Sequence, residues 1–508
     1  MYLRAGIFSF GLLLLSRLLG LARESVQAAA FGSSGMADVV IVMFTLPDLL
    51  VGIFLSGALA YVLLPHWTGQ SVAEQNGSQK KVALKLLASG LLLGLLIWRL
   101  QDPLAQALAP GLTGTTKALG ASSLGWSAAV LPLAMLAALW VTRLQQARDF
   151  IGMYAGNLLV NALLVAALLL VVAGYLSAGT TFGLGLFLVL AMIARLVWLG
   201  WRLKPVRTSL AVSFTSADPV KHPALPGANV WIWAGLSSGL LLLLPVVGRS
   251  IASQGGEGAL ASFNYAWKLV ELPLVLAVQL VASLAFPAIT RTAAGSPERE
   301  KALQLAFSLA WALACAAVAI VVTFSLPLAT LLFGWGRMDA EKTATIAQWS
   351  AIGVWSLLPQ ALIAVLLTVL AISQRMQVAV WAYLVALAAL IFFGWARVAS
   401  GPQDISATGG AVMWMLNAVL SGVALVLLVT ERASLKRTFP WFSCLVPLLI
   451  TALLISLKPL VVGLNVPTSL ISCFIYGVLV VGSGVLASPL LRALLFDRLR
   501  RLKLMRKS

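Results

Sequence analysis

The chain is organised around residues 11–65, which read GLLLLSRLLGLARESVQAAAFGSSGMADVVIVMFTLPDLLVGIFLSGALAYVLLP. The charged side chains inside these apolar stretches are Arg17, Arg23, Glu24, Asp38 and Asp48. A charge at the centre of a spanning helix costs roughly 2.5–3.5 kcal/mol, so such groups normally face a polar cavity instead of lipid. The stretch therefore predicts two spanning helices that line a wet interior and hold something anionic.

The composition excludes a soluble globular protein. Of 508 residues, 61% are hydrophobic and 10% are charged, which is typical of polytopic membrane proteins. Apolar runs of about 20 residues, each enough to cross roughly 30 Å of hydrocarbon, recur along the whole chain. We predict an all-α polytopic membrane protein with about fourteen transmembrane helices. The predicted spans are 6–31, 36–64, 82–100, 124–146, 152–174, 181–201, 227–253, 258–288, 302–324, 347–370, 376–397, 408–430, 441–463 and 468–492.

One long connection divides the predicted helices. Residues 202–227 mix Lys and Arg with four prolines, a composition that resists regular structure. Paired six-helix halves with a site at their interface are a recurring design of alternating-access transporters. The predicted domains are a six-helix N-lobe (1–201), a cytoplasmic linker (202–227), a six-helix C-lobe (228–430), and two helices with a basic cytoplasmic tail (431–508).

The net charge of +19 could indicate nucleic-acid binding, but its placement argues for a membrane topology. Orientation follows the Lys and Arg content of short loops. With a cytoplasmic N-terminus, 23 Lys and Arg fall on the cytoplasmic side and six on the other. We therefore expect a multi-pass protein of the bacterial inner membrane with both termini cytoplasmic, and no nucleic-acid partner.

Catalytic and metal-binding patterns are absent from the sequence. Cys315, Cys444 and Cys473 lie in apolar helices and are odd in number, as expected of small core residues. The two histidines, His66 and His222, are isolated in predicted loops. No nucleotide-binding glycine loop occurs. We expect a transporter instead of an enzyme, without cofactor or metal. Energy, if required, would come from Na⁺ or H⁺, from the membrane potential or from removal of the product.

The embedded charges of the first helix form a polar stripe. Arg17 and Glu24 are seven residues apart and share one face, Arg23 reaches that face, and Ser16 lies beside it. Two guanidiniums against one carboxylate leave a positive wall, and guanidinium matches phosphate oxygens bidentately. In the alternative interpretation, Arg23 and Glu24 extend toward the outer membrane surface or pair with Asp38.

The eighth span carries a second charged pair. Lys268 and Glu271 are at i, i+3 and can neutralise one another, so the pair is either structural or a cationic group that faces Arg17 across the two halves. Asp48, next to Pro47, either pairs with a cation or takes part in proton or sodium coupling. The candidate coupling carboxylates are Asp38, Asp48 and Glu271.

Several blocks together resemble the MurJ (MviN) family of lipid II flippases. The first helix reads SRLLGLARE over 16–24, followed by GMAD over 35–38, LPDLL over 46–50, and Gly57-Ala58 up to Pro65. The eighth span reads YAWKLVELP over 265–273, similar to the family's signature there, and LFGWG over 332–336 resembles a later loop motif. The likeness in layout extends over all fourteen predicted spans.

The resemblance implies a transporter of the multidrug/oligosaccharidyl-lipid/polysaccharide (MOP) exporter superfamily. Such a protein carries an undecaprenyl-pyrophosphate-linked sugar precursor from the cytoplasmic to the outer leaflet. Two six-helix lobes enclose a cationic cavity, and the last two helices form a groove for the lipid tail. Arg17 and Arg23 match the family's essential first-helix arginines. Lys268 stands where the family usually has arginine, which keeps the charge but loses the bidentate geometry.

Three departures from the family pattern lie in the second span. The family's basic pair after the Leu-Pro-Asn-Leu-Leu motif is here Val51-Gly52, the acidic residue before Gly-Ala is Ser56, and the motif's Asn is Asp48. These changes remove positive charge from the expected pyrophosphate site. They bear on which cargo the protein carries more than on its fold.

The sequence thus predicts a flippase for a polyprenyl-pyrophosphate-linked glycan, with lipid II as the first candidate. The predicted substrate-binding residues are Arg17, Arg23, Lys268, Ser16, Glu24, Asp48 and Glu271. Membrane lipids are the expected surroundings, the protein is expected to be a monomer, and contacts with cell-wall synthesis enzymes are expected to be transient. The alternatives are a flippase for an exopolysaccharide repeat unit, a cation-coupled small-molecule exporter, and a membrane enzyme or scaffold.

Overall fold

The computed structural model describes residues 2–53, 59–68, 70–208, 225–274, 296–373, 375–399, 405–435, 439–461, 463 and 465–493. This part of the chain is almost entirely helical and contains no β-strand. The predicted all-α fold is confirmed.

The helices are labelled in chain order. Those of the first half are α1 (Tyr2–Phe31), α2 (Gly35–Ile53), α3 (Leu59–Trp67), α4 (Val72–Arg99), α5 (Gln101–Leu108), α6 (Gly114–Gln146), α7 (Phe150–Val172), α8 (Phe182–Thr208) and α9 (Ala228–Ser253). Next come α10 (259–274, where the described stretch stops), α11 (Pro297–Phe333), α12 (Ala340–Gly353), α13 (Leu357–Ile372), α14 (Met376–Ala399), α15 (Ile405–Thr430), α16 (Arg432–Leu435), α17 (Trp441–Ser456), α18 (Lys458–Val461) and α19 (Val466–Ala487).

The predicted membrane spans recur as helices. Within the described residues, eleven helices are long and apolar enough to cross a membrane, and each coincides with a predicted span. The other three predicted spans correspond to the charge-bearing α1, to α17, a shorter apolar helix of 16 residues, and to α10. Residues 275–288 of the predicted eighth span and the basic tail over 494–508 lie outside the described residues.

The chain forms two compact units. The first contains Met1–Ser262, Trp335–Asp339 and Arg397–Gly409; the second contains Phe263–Gly334, Ala340–Ala396 and Gly410–Ser508. Helix α9 and the start of α10 thus belong to the first unit. The division into six-helix lobes stays a prediction. Helix α8 continues to Thr208, into the predicted linker, and linker residues 209–224 lie outside the described part.

Small residues let helices of the first unit approach closely. A Cβ at Gly90 of α4 would lie 2.8 Å from Cα of Pro132 in α6, and one at Gly94 would lie 2.7 Å from the carbonyl oxygen of Ala128. Membrane helices associate through van der Waals packing, which favours such small residues at their contacts. Helices α4 and α6, together with α3, also share a core around the fully buried Trp67.

The second unit is built around the kinked helix α11. Phe324 has non-helical angles (φ −111°, ψ 24°) three residues before Pro327, because proline lacks an N–H and its ring clashes with the preceding turn. Helices α17 and α19 pack on α11 through a core that includes Phe324, Leu454 and Tyr476. The buried Cys315 belongs to this core and is a free thiol.

Candidate functional site

Ser16 and Arg17, neighbours in the polar stripe of α1, have different surroundings. Ser16 is buried and accepts a hydrogen bond from Nδ2 of Asn157 in α7, at 2.8 Å. Arg17 is exposed. Ser16 therefore holds α1 against α7, whereas Arg17 leaves its guanidinium accessible to a ligand.

Arg23 is the centre of a buried ionic cluster. Its Nη2 donates to Oε1 of Glu24 at 2.9 Å and to Oδ2 of Asp48 at 3.0 Å. Arg23 is 8% exposed and Glu24 4%, whereas the Asp48 side chain is 56% exposed. Arg23 therefore does not extend to the membrane surface, and its carboxylate partners are Glu24 and Asp48.

The periodicity of α2 explains how this helix holds Arg23. Phe44 and Asp48 are four residues apart and lie on one face. The Arg23 guanidinium carbon stands 5.4 Å from the Phe44 ring centroid, within the range of a cation–π contact. One face of α2 thus supplies both an aromatic ring and a carboxylate to the same arginine.

Arg195 in α8 is a candidate site residue to which the sequence assigned no role. It is 1% exposed, and within the described residues its Nε has no hydrogen-bond partner. Its Cγ lies 3.6 Å from the position of a Cβ added to Gly156 of α7. An arginine thirteen residues into an apolar helix was the available signal.

The charge balance of this region differs from the sequence expectation of two guanidiniums against one carboxylate. Asp48 joins Glu24 at Arg23, so two carboxylates balance Arg17 and Arg23. We call Arg23, Glu24 and Asp48 the Arg23 cluster.

Asp38 is a helix cap. The side chain is fully buried, Oδ2 accepts the backbone N–H of Gly258, and Oδ1 accepts that of Ala261, both at 2.7 Å. The first N–H groups of a helix have no intrahelical partner, and a carboxylate there also meets the positive end of the helix dipole. Asp38 thus ties the start of α2 to the start of α10.

The chain around this cap is tightly packed. Ser33 Oγ donates to the Gly258 carbonyl at 2.7 Å and lies 2.5 Å from Ser262 Oγ. Gly258 has φ +85°, and a Cβ there would lie 2.3 Å from the Ser33 carbonyl oxygen. A side chain at position 258 would be excluded both by the left-handed backbone and by this contact.

Residues 335–337, which begin within the LFGWG motif, contact the C-terminal end of α1. Trp335 Nε1 donates to Ser25 Oγ at 3.0 Å, and the Arg337 N–H donates to the Ala29 carbonyl at 2.9 Å. Gly336 between them has φ +68°, which glycine adopts without strain. These residues thus contact the same end of α1 that leads to Asp38.

Lys268 and Glu271 belong to the second unit. Lys268 Nζ donates to Glu271 Oε2 at 2.8 Å, and both side chains are partly exposed. The ion pair expected from their i, i+3 spacing is therefore present. That Lys268 faces Arg17, and that Glu271 couples ions, stay predictions.

Glu257, between α9 and α10, gives a pH-dependent prediction. Thr116 Oγ1 and Thr113 Oγ1 donate to its Oε1 at 2.5 and 3.0 Å, and the Thr116 bond is the main cause of a lowered pKa. A carboxylate whose pKa is lower in the folded than in the unfolded state stabilises the fold at pH values above its unfolded-state pKa. This stabilisation is lost as the pH falls through the folded-state pKa. At pH 7 we expect Glu257→Gln to unfold at a lower temperature than wild type.

The difference between the two melting temperatures should begin to shrink once the pH falls below about 4.3, the ordinary pKa of a carboxyl group. It should disappear once the pH is below the lowered pKa of Glu257 in the folded protein. Thermal unfolding from pH 7 to pH 3 measures it. Glu341→Gln, at an exposed side chain of α12, is the matched control and should show no such trend. A melting-temperature difference for Glu257→Gln that is constant with pH would contradict the prediction.

Comparison with known proteins identifies the family. The sequence model of the family "Lipid II flippase MurJ" matches residues 27–481. The lipid II flippase MurJ of Burkholderia cenocepacia is 25% identical over 364 residues, which are 68% of this chain and 68% of that protein. The probable lipid II flippase MurJ of Rickettsia prowazekii is 24% identical over 373 residues, 72% of each chain.

Solved structures show the same fold. A lipid II flippase MurJ in an inward closed conformation matches with a TM-score of 0.75 and 17% identity, over 97% of this chain and 99% of that one. An inward-facing multidrug resistance MATE family transporter of the MOP superfamily matches with a TM-score of 0.61 and 16% identity, over 83% and 96%. The fold is that of the multi-pass MOP-superfamily transporters. Within that class, the chain belongs to the MurJ lipid II flippase family.

Proposed function

We propose that this protein moves lipid II from the cytoplasmic to the outer leaflet of the bacterial inner membrane. Family membership and the named relatives support lipid II as cargo. The observation that carries the proposal is the pair of arginines in α1, one exposed and one buried among carboxylates. Arginines are costly inside an apolar helix unless they serve a polar cavity or a ligand.

Lipid II presents a diphosphate between its sugar and its lipid tail. A guanidinium group can bind the oxygen atoms of a phosphate with two parallel hydrogen bonds. In the proposed mechanism Arg17 and Arg23, with Lys268, hold the diphosphate while two lobes alternate their access around it. Glu24, Asp48 and Glu271 set the charge balance, and Ser16 keeps α1 against α7.

The energy source is a separate part of the proposal. Among the candidate coupling carboxylates, Asp38 has both oxygens engaged by backbone N–H groups, whereas the Asp48 side chain is 56% exposed. Asp48 is therefore the better placed of the two to exchange a proton or a Na⁺ ion. The membrane potential is the alternative driving force. We propose a monomer with both termini cytoplasmic and transient contacts with cell-wall synthesis enzymes.

The test is replacement of a bacterium's own lipid II flippase. That flippase is depleted while this protein is supplied as wild type or as Arg17→Ala. We expect wild type to support growth and Arg17→Ala, at equal membrane levels, to permit lysis. Arg99→Ala, at an exposed arginine at the end of α4, is the control and should support growth.

The outcomes separate the possible cargoes. Lysis with well-expressed wild type would contradict lipid II as the cargo. It would favour a lipid-linked exopolysaccharide repeat unit, consistent with the uncharged Val51-Gly52 in α2. Growth with Arg17→Ala at the wild-type rate would instead show that lipid II transport does not require Arg17, and would argue against a diphosphate held by that arginine.

A further inference from the structure

One face of α12 in the second unit carries a polar side chain that the core does not use. Ala344, Gln348 and Ile352 follow one another at intervals of four residues, so they lie on the same side of the helix. Ala344 and Gln348 are exposed, whereas Trp349, on another face of the helix, is fully buried. An amide exposed within an apolar span is thus available to a partner outside the helix core.

This face of α12 forms one wall of a cleft within the second unit. The cleft has a volume of about 420 Å³, which is in the size range of small-molecule sites. It is also lined by Ser325 of α11, Trp414 of α15 and Lys458 of α18. The Trp414 side chain is 61% exposed. The cleft therefore combines apolar walls, an accessible aromatic ring and one cation.

Lys458, the cation of the cleft, is held in place without a counter-ion. Its Nζ donates to the carbonyl oxygen of Val322 in α11 at 3.0 Å. An ammonium group has three donors, so this bond fixes the charge and leaves two donors for another partner. Within the described residues no ion pair includes Lys458. The site is therefore suited to an anion.

The surroundings of Lys458 favour a lipid phosphate as that anion. An ammonium group binds phosphate as a point charge, and basic pockets between membrane helices bind anionic head groups. Trp355 and Trp414 both line the cleft, and tryptophan is enriched where a membrane meets water. Leu326 adds an apolar surface that is 51% exposed. A lipid would use both the cation and this apolar wall, whereas a free phosphate ion would use only the cation.

We propose that this cleft binds an anionic phospholipid: its phosphate accepts from Lys458 Nζ, the Gln348 amide donates to a head-group oxygen, and an acyl chain lies along Leu326 and Ile352. The bound lipid bridges α11, α12, α15 and α18 and so stabilises the second unit. The site uses residues of that unit alone and is independent of the cargo. With both termini cytoplasmic, as proposed, Lys458 is on the outer side of the membrane and the lipid belongs to the outer leaflet.

The test is a titration of the purified full-length protein with phosphatidylglycerol or phosphatidylcholine, followed by native mass spectrometry. Phosphatidylcholine carries the same phosphate but compensates it with a choline cation. We expect wild type to bind its first phosphatidylglycerol more tightly than its first phosphatidylcholine. Lys458→Gln should weaken the binding of phosphatidylglycerol about fivefold, equivalent to about 1 kcal/mol, and leave that of phosphatidylcholine unchanged.

Three further variants separate the cleft from the stability of the fold. Ala344→Trp fills the cleft while Lys458 stays in place, so the preference for phosphatidylglycerol should be lost even if Lys458→Gln does not fold. Lys458→Arg keeps the charge and should retain the preference. Arg99→Gln removes an exposed arginine of α4, expected on the same side of the membrane, and should bind like wild type.

Thermal unfolding gives a second readout of the same site. A ligand that binds only the folded state raises the melting temperature, so phosphatidylglycerol should stabilise wild type more than phosphatidylcholine does. This difference should disappear in Ala344→Trp and remain in Arg99→Gln.

Three results would overturn the proposal. The first is equal affinity of wild type for the two lipids, and the second is a preference for phosphatidylglycerol that survives both Lys458→Gln and Ala344→Trp. The third is displacement of phosphatidylglycerol by inorganic phosphate, which would identify a site for the free ion. No arm contains lipid II, so failure of the lipid site and failure of the proposed function are distinguishable.

Discussion

Replacing Arg23 with glutamine is expected to abolish lipid II transport and to destabilise the protein. Arg23 is the partner of two carboxylates, at 2.9 and 3.0 Å, and Glu24 is 4% exposed. Removing one member of a buried ion pair costs about 3–5 kcal/mol, because the other charge is left uncompensated. The fold should therefore lose stability for a reason unrelated to ligand binding.

A second substitution separates these two effects. Arg23→Gln with Glu24→Gln removes both buried charges, and we expect most of the lost stability to return. Transport should stay absent, because the diphosphate still lacks its guanidinium. Thermal unfolding and lipid II translocation in proteoliposomes measure the two quantities side by side.

For the conservative variant Arg23→Lys we expect an intermediate rate of transport. A lysine keeps the charge but loses the bidentate geometry, so partial transport is expected in a stable protein. If the double glutamine variant moved lipid II at the wild-type rate, Arg23 would have only a structural role.

Asp38→Ala is expected to give the second large effect, a loss of both stability and transport. The substitution leaves the N–H groups of Gly258 and Ala261 without the acceptor they have at 2.7 Å. An unsatisfied buried donor costs about 1–3 kcal/mol, so the two together cost about 2–6 kcal/mol. The start of α10 would no longer be tied to α2, and transport should fail with it.

Asp38→Asn is the informative companion. Asparagine keeps one acceptor oxygen but directs an NH₂ group toward the second backbone N–H, so about half of the stability loss is expected. Asp102→Asn, at an exposed acidic residue of α5, is the control and should unfold like wild type. A melting temperature for Asp38→Ala equal to that of wild type would show that the cap contributes nothing to the fold.

The presence of the helices could be predicted from the sequence because hydropathy depends only on a short run of neighbouring residues. An apolar run of about 20 residues can satisfy its backbone in a bilayer only as a helix. Eleven of the predicted spans therefore coincide with helices that the described residues contain. The kink at Phe324 was missed, although Pro327 was a signal for it.

The candidate site was predicted only in part. Arg17 and Arg23 could be found because a charge in an apolar helix is conspicuous at any position. The partner of Arg23 could not be found with the same certainty, since Asp38 and Asp48 were both plausible carboxylates. The spacing of Lys268 and Glu271 did predict their pairing, because i, i+3 neighbours meet on any helix.

By itself, the sequence determined the all-helical membrane fold, the positions of its spans and the arginines of α1, because each depends on residue type and short-range spacing. Only the tertiary structure decided that Asp48 joins Arg23 and that Asp38 accepts the backbone N–H of Gly258, 220 residues later. These contacts depend on which faces the helices turn toward one another. That choice is made by packing along their whole length, which local spacing does not encode.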